Sequence, residues 1–149
     1  MKKILIILIT LLFSSCGYES LYSKKKNFDL EYKMITLSGD KNFNRRILNT
    51  LSIEEKDSIL FNNELLLESN IGIYETSKDN KGQVKTFRTT ATTSLIIKNN
   101  DIVNKNKKFT QSFSYNNMEN KFDLVEYQKE IENNLIGKII EDIIIFMNL

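Results

Sequence analysis

The chain has 149 residues, the length of one domain and enough to bury a hydrophobic core without disulfides or metals. It contains no His, Pro or Trp and a single Cys, which excludes imidazole bases, His-ligated metals, thiolate clusters and an internal disulfide. The formal charge of +2 comes from Lys2 and Lys3: without the first 15 residues the 21 basic residues become 19, equal to the 19 acidic ones, and a neutral domain makes no global case for nucleic acid.

Met1-Lys2-Lys3 is a short positive start, and Ile4 to Phe13 is apolar except for Thr10. This stretch is shorter than the roughly 20 residues a spanning helix needs and suits the core of a signal peptide. Phe13-Ser14-Ser15-Cys16 follows. Two small residues before a cysteine resemble a bacterial lipobox, with Phe13 where Leu is usual. The resemblance implies cleavage between Ser15 and Cys16 and a covalent lipid on Cys16. Each buried methylene contributes about 0.8 kcal/mol, so a diacylated cysteine holds its protein on a membrane. Gly17 after the cysteine implies export to the outer membrane. Residues 1–15 are thus the signal peptide, 16–27 the lipidated N-terminus and a lysine-rich tether, and 28–149 the folded domain.

From Phe28 the pattern alternates, with Phe28, Leu30, Tyr32 and Met34 on one face and Asp29, Glu31 and Lys33 on the other, which predicts a half-buried strand. Ser38-Gly39-Asp40 ends it. Asp40 is placed to cap a helix that carries Phe43, Ile47, Leu48 and Leu51 on one side. Residues 52–63 read as a polar connection. A second strand follows, with Leu65, Leu67, Ile71 and Ile73 alternating, and Ser77 to Gly82 is rich in turn formers.

Val84 to Ile97 predicts a long strand with Phe87, Ala91, Leu95 and Ile97 on one face and Arg88, Thr90, Thr92 and Ser94 on the other. Lys98 to Asn106 reads as a loop, leading to a strand with Phe109, Phe113 and Tyr115 opposite Thr110, Ser112 and Ser114. The last element is an amphipathic helix from about Lys121 to Met147, with Asn120 and Asp123 resembling a capping box. Gly137 inside it costs about 1 kcal/mol relative to Ala and reads as a mark of close packing or of drift. The expected fold is α+β, in the order β-α-β-β-β-α. It is a two-layer sandwich with both helices on one face of a four-stranded sheet.

Candidate chemistry is sparse. Glu54, Glu55 and Asp57 form an acidic run, and Glu141-Asp142 interrupt the last helix, but neither comes with a nucleophile or an orienting partner. Gly72 and Gly82 are isolated and make no phosphate loop. No catalytic residue, metal site or cofactor is expected beyond the lipid on Cys16. The basic residues are more suggestive. Lys78, Lys81, Lys85 and Arg88 lie in and after the first hairpin, and Lys105, Lys107 and Lys108 close the next loop. Either group suits a solvated loop or an anionic ligand, and a meander would put the two at opposite sheet ends. The Thr/Ser sheet face is a further docking candidate.

Taken in order, Cys16-Gly17-Tyr18-Glu19-Ser20-Leu21-Tyr22 resembles the Cys-Gly-aromatic-x-Pro-Leu-Tyr start of the lipopolysaccharide-assembly lipoprotein family LptE, with Ser20 in place of Pro. Arg45-Arg46 with Leu48 and Leu51 is similar to that family's first helix, and Arg88 to Leu95 to its third strand. Phe113-Ser114-Tyr115-Asn116 with Phe122 to Glu132 is similar to its last strand and helix entry. The resemblance implies a subunit that plugs and helps assemble the outer-membrane β-barrel LptD. It also implies anchorage in the inner leaflet of the outer membrane and contact with lipopolysaccharide. Lys78, Lys81, Lys85, Arg88, Lys105, Lys107 and Lys108 are then the candidate contacts. Another periplasm-facing lipoprotein of the same fold, a barrel-assembly accessory or lipid carrier, is the alternative.

Overall fold

The computed structural model describes residues 30–56 and 62–148. Ser15, Cys16, the tether, Phe28 and Asp57 lie outside the described residues. Among the described residues eight elements follow in order: β1 (Leu30–Tyr32), β2 (Met34–Gly39), α1 (Lys41–Leu51), β3 (Ile53–Glu55), β4 (Asn63–Lys78), β5 (Val84–Asn99), β6 (Ile102–Asn116) and α2 (Lys121–Asn148). The main sheet has the order β2-β4-β5-β6, with β2 parallel to β4 and β4-β5-β6 an antiparallel meander. Both helices pack on one face of it, α1 on β2 and β4, α2 on β5 and β6. The expected α+β sandwich is present, with a small parallel pair, β1 and β3, added to it.

That pair accounts for two departures from the sequence reading. The first strand breaks at Lys33 because its two halves take different partners, β3 and β4. Tyr32 is buried, whereas Met34, expected on the same inward face, is 44% exposed. Residues 53–55, read as polar connection, are β3; their one apolar residue, Ile53, is buried.

Gly39 and Asp40 turn the chain from β2 into α1. Gly39 has φ +78°, and a Cβ there would lie 2.1 Å from the Ser69 carbonyl oxygen. The Asp40 carboxylate accepts the Phe43 N–H at 2.8 Å, as an N-cap should. Phe43, Ile47 and Leu51 are buried, as expected, and so is Asn44. α2 starts where the sequence puts it, the Asn120 side chain accepting the Phe122 N–H at 2.9 Å.

The helix-facing side of the sheet carries Leu65, Leu67, Ala91, Leu95 and Phe109, all buried. Leu124, Ile131, Leu135, Ile139 and Ile143 of α2 close the core from above. Three hydroxyl residues sit in that layer. Ser69 and Thr93 share a hydrogen bond of 3.0 Å across β4 and β5, and Thr89 bonds the Tyr115 hydroxyl at 3.2 Å. Paired in this way, they avoid the cost of an unmatched buried hydroxyl. The predicted face of β5 is correct throughout.

The second predicted loop is corrected. Only Asn100 and Asp101 turn the chain, both with left-handed φ (49° and 64°), as a two-residue hairpin requires. Residues 102–106 therefore belong to β6. Gly137 also differs from the close-packing reading: a Cβ there would meet nothing within 4 Å.

Candidate functional site

The basic residues read as ligand candidates fall into separate places. In the first hairpin, Asp79 organises the turn by accepting the N–H groups of Lys81 and Gln83 at 2.8 and 2.9 Å. Lys81 and Lys85 are exposed there, while Lys78 pairs with Glu75 at 3.3 Å. Arg88 lies further along β5 on the sheet face away from the helices, its Nε donating to Ser114 Oγ at 3.1 Å. Roughly 30 Å of strand separates Lys85 from Ser94, the residue opposite Lys108. The two groups thus sit toward opposite ends of the sheet, as the meander implies.

The second group also divides across the sheet. Lys105 and Lys107 are on the helix side, where both ammonium groups lie over the Phe146 ring at 5.4 and 5.1 Å and Lys107 also covers Phe109 at 5.2 Å. They supply positive charge to the C-terminal end of α2, whose last turn has no basic residue of its own. Their position is structurally useful whether or not a ligand binds. Lys108 points to the other face, opposite Ser94.

The open sheet face is the broadest feature. Across β5 and β6 it runs Arg88–Ser114, Thr90–Ser112, Thr92–Thr110 and Ser94–Lys108, a hydroxyl surface bounded by one cation at each end. On β4 the exposed Tyr74 lies back over Gly72, where a Cβ would meet its hydroxyl at 2.8 Å, and it stands opposite Arg88. The polar face expected from sequence is real, and Tyr74 is an addition to it that alternation alone did not single out.

Two depressions open to solvent. One of 270 Å³ lies between Phe113 and α2, lined by Tyr127, Glu130, Ile131 and Lys138 among others. The other, of 340 Å³, is at the β2–α1 junction, lined by Leu37, Gly39, Lys41, Asn44 and Arg45. Beside it Asn44 Nδ2 donates to the Ser38 carbonyl at 2.7 Å.

Two of the carboxylates weighed as catalytic, Glu55 and Asp142, hold hydrogen bonds between elements. Asp142 accepts from Gln111 Nε2 at 2.7 Å and ties α2 to β6, while Glu55 accepts the Ile35 N–H at 3.3 Å. Arg46 donates to Asn133 at 2.7 Å and joins the two helices. Among the described residues no group of His, Cys, Asp and Glu is placed to hold a metal, and no helix is long and apolar enough to cross a membrane.

No family model and no curated protein matches the chain. Solved structures do. The rare lipoprotein B from Shewanella oneidensis aligns with TM-score 0.58 at 13% identity, over 77% of this chain and 93% of that one. The uncharacterized lipoprotein B from Nitrosomonas europaea gives 0.54 at 6%, over 76% and 81%. A minor lipoprotein from Acinetobacter baumannii gives 0.51 at 12%, over 76% and 89%. At such identities the likeness is one of fold. The domain has the fold of these bacterial lipoproteins.

Proposed function

We propose that this protein is an outer-membrane lipoprotein of the lipopolysaccharide translocon, acting as plug and assembly partner of the LptD β-barrel and meeting lipopolysaccharide there. The observation that carries the reading is the shared sandwich fold of bacterial lipoproteins in a chain that starts, after a lipobox, with the LptE-like heptapeptide at Cys16. The open sheet face supports it. A surface of Thr, Ser and Arg88 suits a water-lined barrel interior, whose wall is itself polar.

The alternative, a lipid carrier, needs an apolar cavity between the layers. That space is filled by Ile47, Leu65, Leu67, Leu95, Ile139 and Ile143, each with at most 1% of its surface exposed. The 270 and 340 Å³ depressions open at the surface instead. A filled core favours the plug.

Purification from membranes in mild detergent tests the proposal. A large barrel protein is expected at one copy per copy of this chain; a protein free of barrel and loaded with phospholipid would overturn the reading in favour of the carrier. In the same preparation Cys16→Ser is expected to lack the diacylglyceryl mass and to retain residues 1–15.

A further inference from the structure

We propose that Tyr74 and Arg88 form a binding site for an acidic saccharide on the open sheet face, the ring stacking on a sugar and the guanidinium holding its phosphate or carboxylate. The site starts from a glycine. A Cβ at Gly72 would lie 2.8 Å from Tyr74 Oη, 3.0 Å from Cζ and 3.1 Å from Cε2, so the aromatic ring lies down along β4 in the space a side chain at 72 would take. One face of the ring rests on the backbone. Tyr74 is nevertheless 59% exposed, so the other face is turned to solvent. A flat aromatic face open to water suits a sugar ring, whose C–H groups, polarised by neighbouring oxygens, meet the negative face of the π-system.

Arg88 stands directly opposite Tyr74 on β5, with Cα atoms about 4.5–5.5 Å apart. Its Nε donates to Ser114 Oγ on β6, which draws the side chain away from the tyrosine and fixes the guanidinium. Ring and guanidinium thus stand side by side, about 5–10 Å apart by strand spacing, the span of one sugar ring with its substituent. Among the described residues Nη1 and Nη2 have no partner, and Arg88 is in no ion pair. A free guanidinium fork of this kind takes a carboxylate or a phosphate by two parallel hydrogen bonds.

The rest of the site is neutral. Asn70 lies beyond Gly72 on β4, and Thr90, Thr92 and Ser112 continue the same face on β5 and β6. Hydroxyl and amide side chains both donate and accept, which matches the hydroxyls of a sugar. One cation answers one anionic group. A nucleic acid, whose affinity rests on many phosphate contacts, finds no row of cations beside Tyr74. The inference does not rest on the barrel-plug reading: a protein with no barrel partner would carry the same site, and the barrel is sought by a separate measurement, so either can fail alone.

Titration of the isotope-labelled full-length protein in mild detergent tests this, read from the backbone amide signals of residues 70–74 and 88–92 in NMR spectra. The probes are glucose 6-phosphate, glucuronate, glucose and inorganic phosphate. At least one of the two charged sugars is expected to shift these signals with saturation, and the pair tells a phosphate from a carboxylate preference. Glucose is expected to bind about tenfold more weakly than the charged sugar, for want of the charge-assisted pair. Arg88→Gln should bring the charged sugar down to the level of glucose. Tyr74→Phe should bind like the parent protein and Tyr74→Ala about tenfold more weakly, because the ring and not its hydroxyl makes the stack. Tyr74 and Arg88 are exposed, so all three variants are expected to fold. No shift with any sugar, inorganic phosphate binding as well as the charged sugars, or undiminished binding in Tyr74→Ala would overturn the proposal.

Discussion

Gly39 holds a backbone conformation that other residues reach only with strain, and it does so against the carbonyl of Ser69. That carbonyl also accepts the Asp40 N–H, so it has little room to yield. Gly39→Ala is therefore expected to cost at least about 2 kcal/mol, read as a lower denaturant midpoint at unchanged slope. Tyr32 makes a different residue-scale prediction. Burial pushes its phenol from 10.0 up to about 12, because the charged form is poorly solvated there. A group whose pKa is raised by folding gives its stability in full below the unfolded value and loses it as pH climbs through the folded one. The fold should weaken between pH 10 and 12, and Tyr32→Phe should reduce that part of the loss in alkaline unfolding monitored by circular dichroism.

At the scale of elements, the two helices respond oppositely to alanine. Asp40→Ala removes the cap of α1 and is expected to cost about 1 kcal/mol. Gly137→Ala meets open space inside α2 and is expected to stabilise by up to about 1 kcal/mol. Thermal midpoints of the two variants check both signs. What could be read from sequence followed from how strictly each element alternates. Residues 87–97 keep the period of a strand buried on one face, and their orientation was legible residue by residue. α1 was legible because Asp40 and the 43/47/51 spacing agree. β3 was not, because a three-residue strand with one apolar side chain has no period to detect. The start of β6 was hidden for a related reason: Ile102 and Val103 are exposed at 72% and 53%, and the asparagines and lysines after them look like a loop. Nor does alternation through Lys33 reveal that the chain changes strand partner there.

At the scale of the molecule, the candidate lysines illustrate how topology overrides proximity in sequence. Lys107 and Lys108 are neighbours in the chain, yet one packs over Phe146 and the other stands on the opposite face beside the hydroxyl row. Strand alternation separates the two, but only once residues 102–108 are known to be strand and not loop. The consequence for function is that the cations do not form one cluster. The surface suited to a large polar partner is the open sheet face, with Arg88 and Lys108 at its ends. The most direct measurement of that account is photocrosslinking in cells from Thr90 and Thr92 at the centre of this face, with a photoreactive residue also at the exposed Val125 of α2 as a reference. The barrel-plug reading predicts a crosslink from Thr90 or Thr92 to an outer-membrane barrel protein. Adducts to phospholipid alone, or none from any of the three positions, would contradict it.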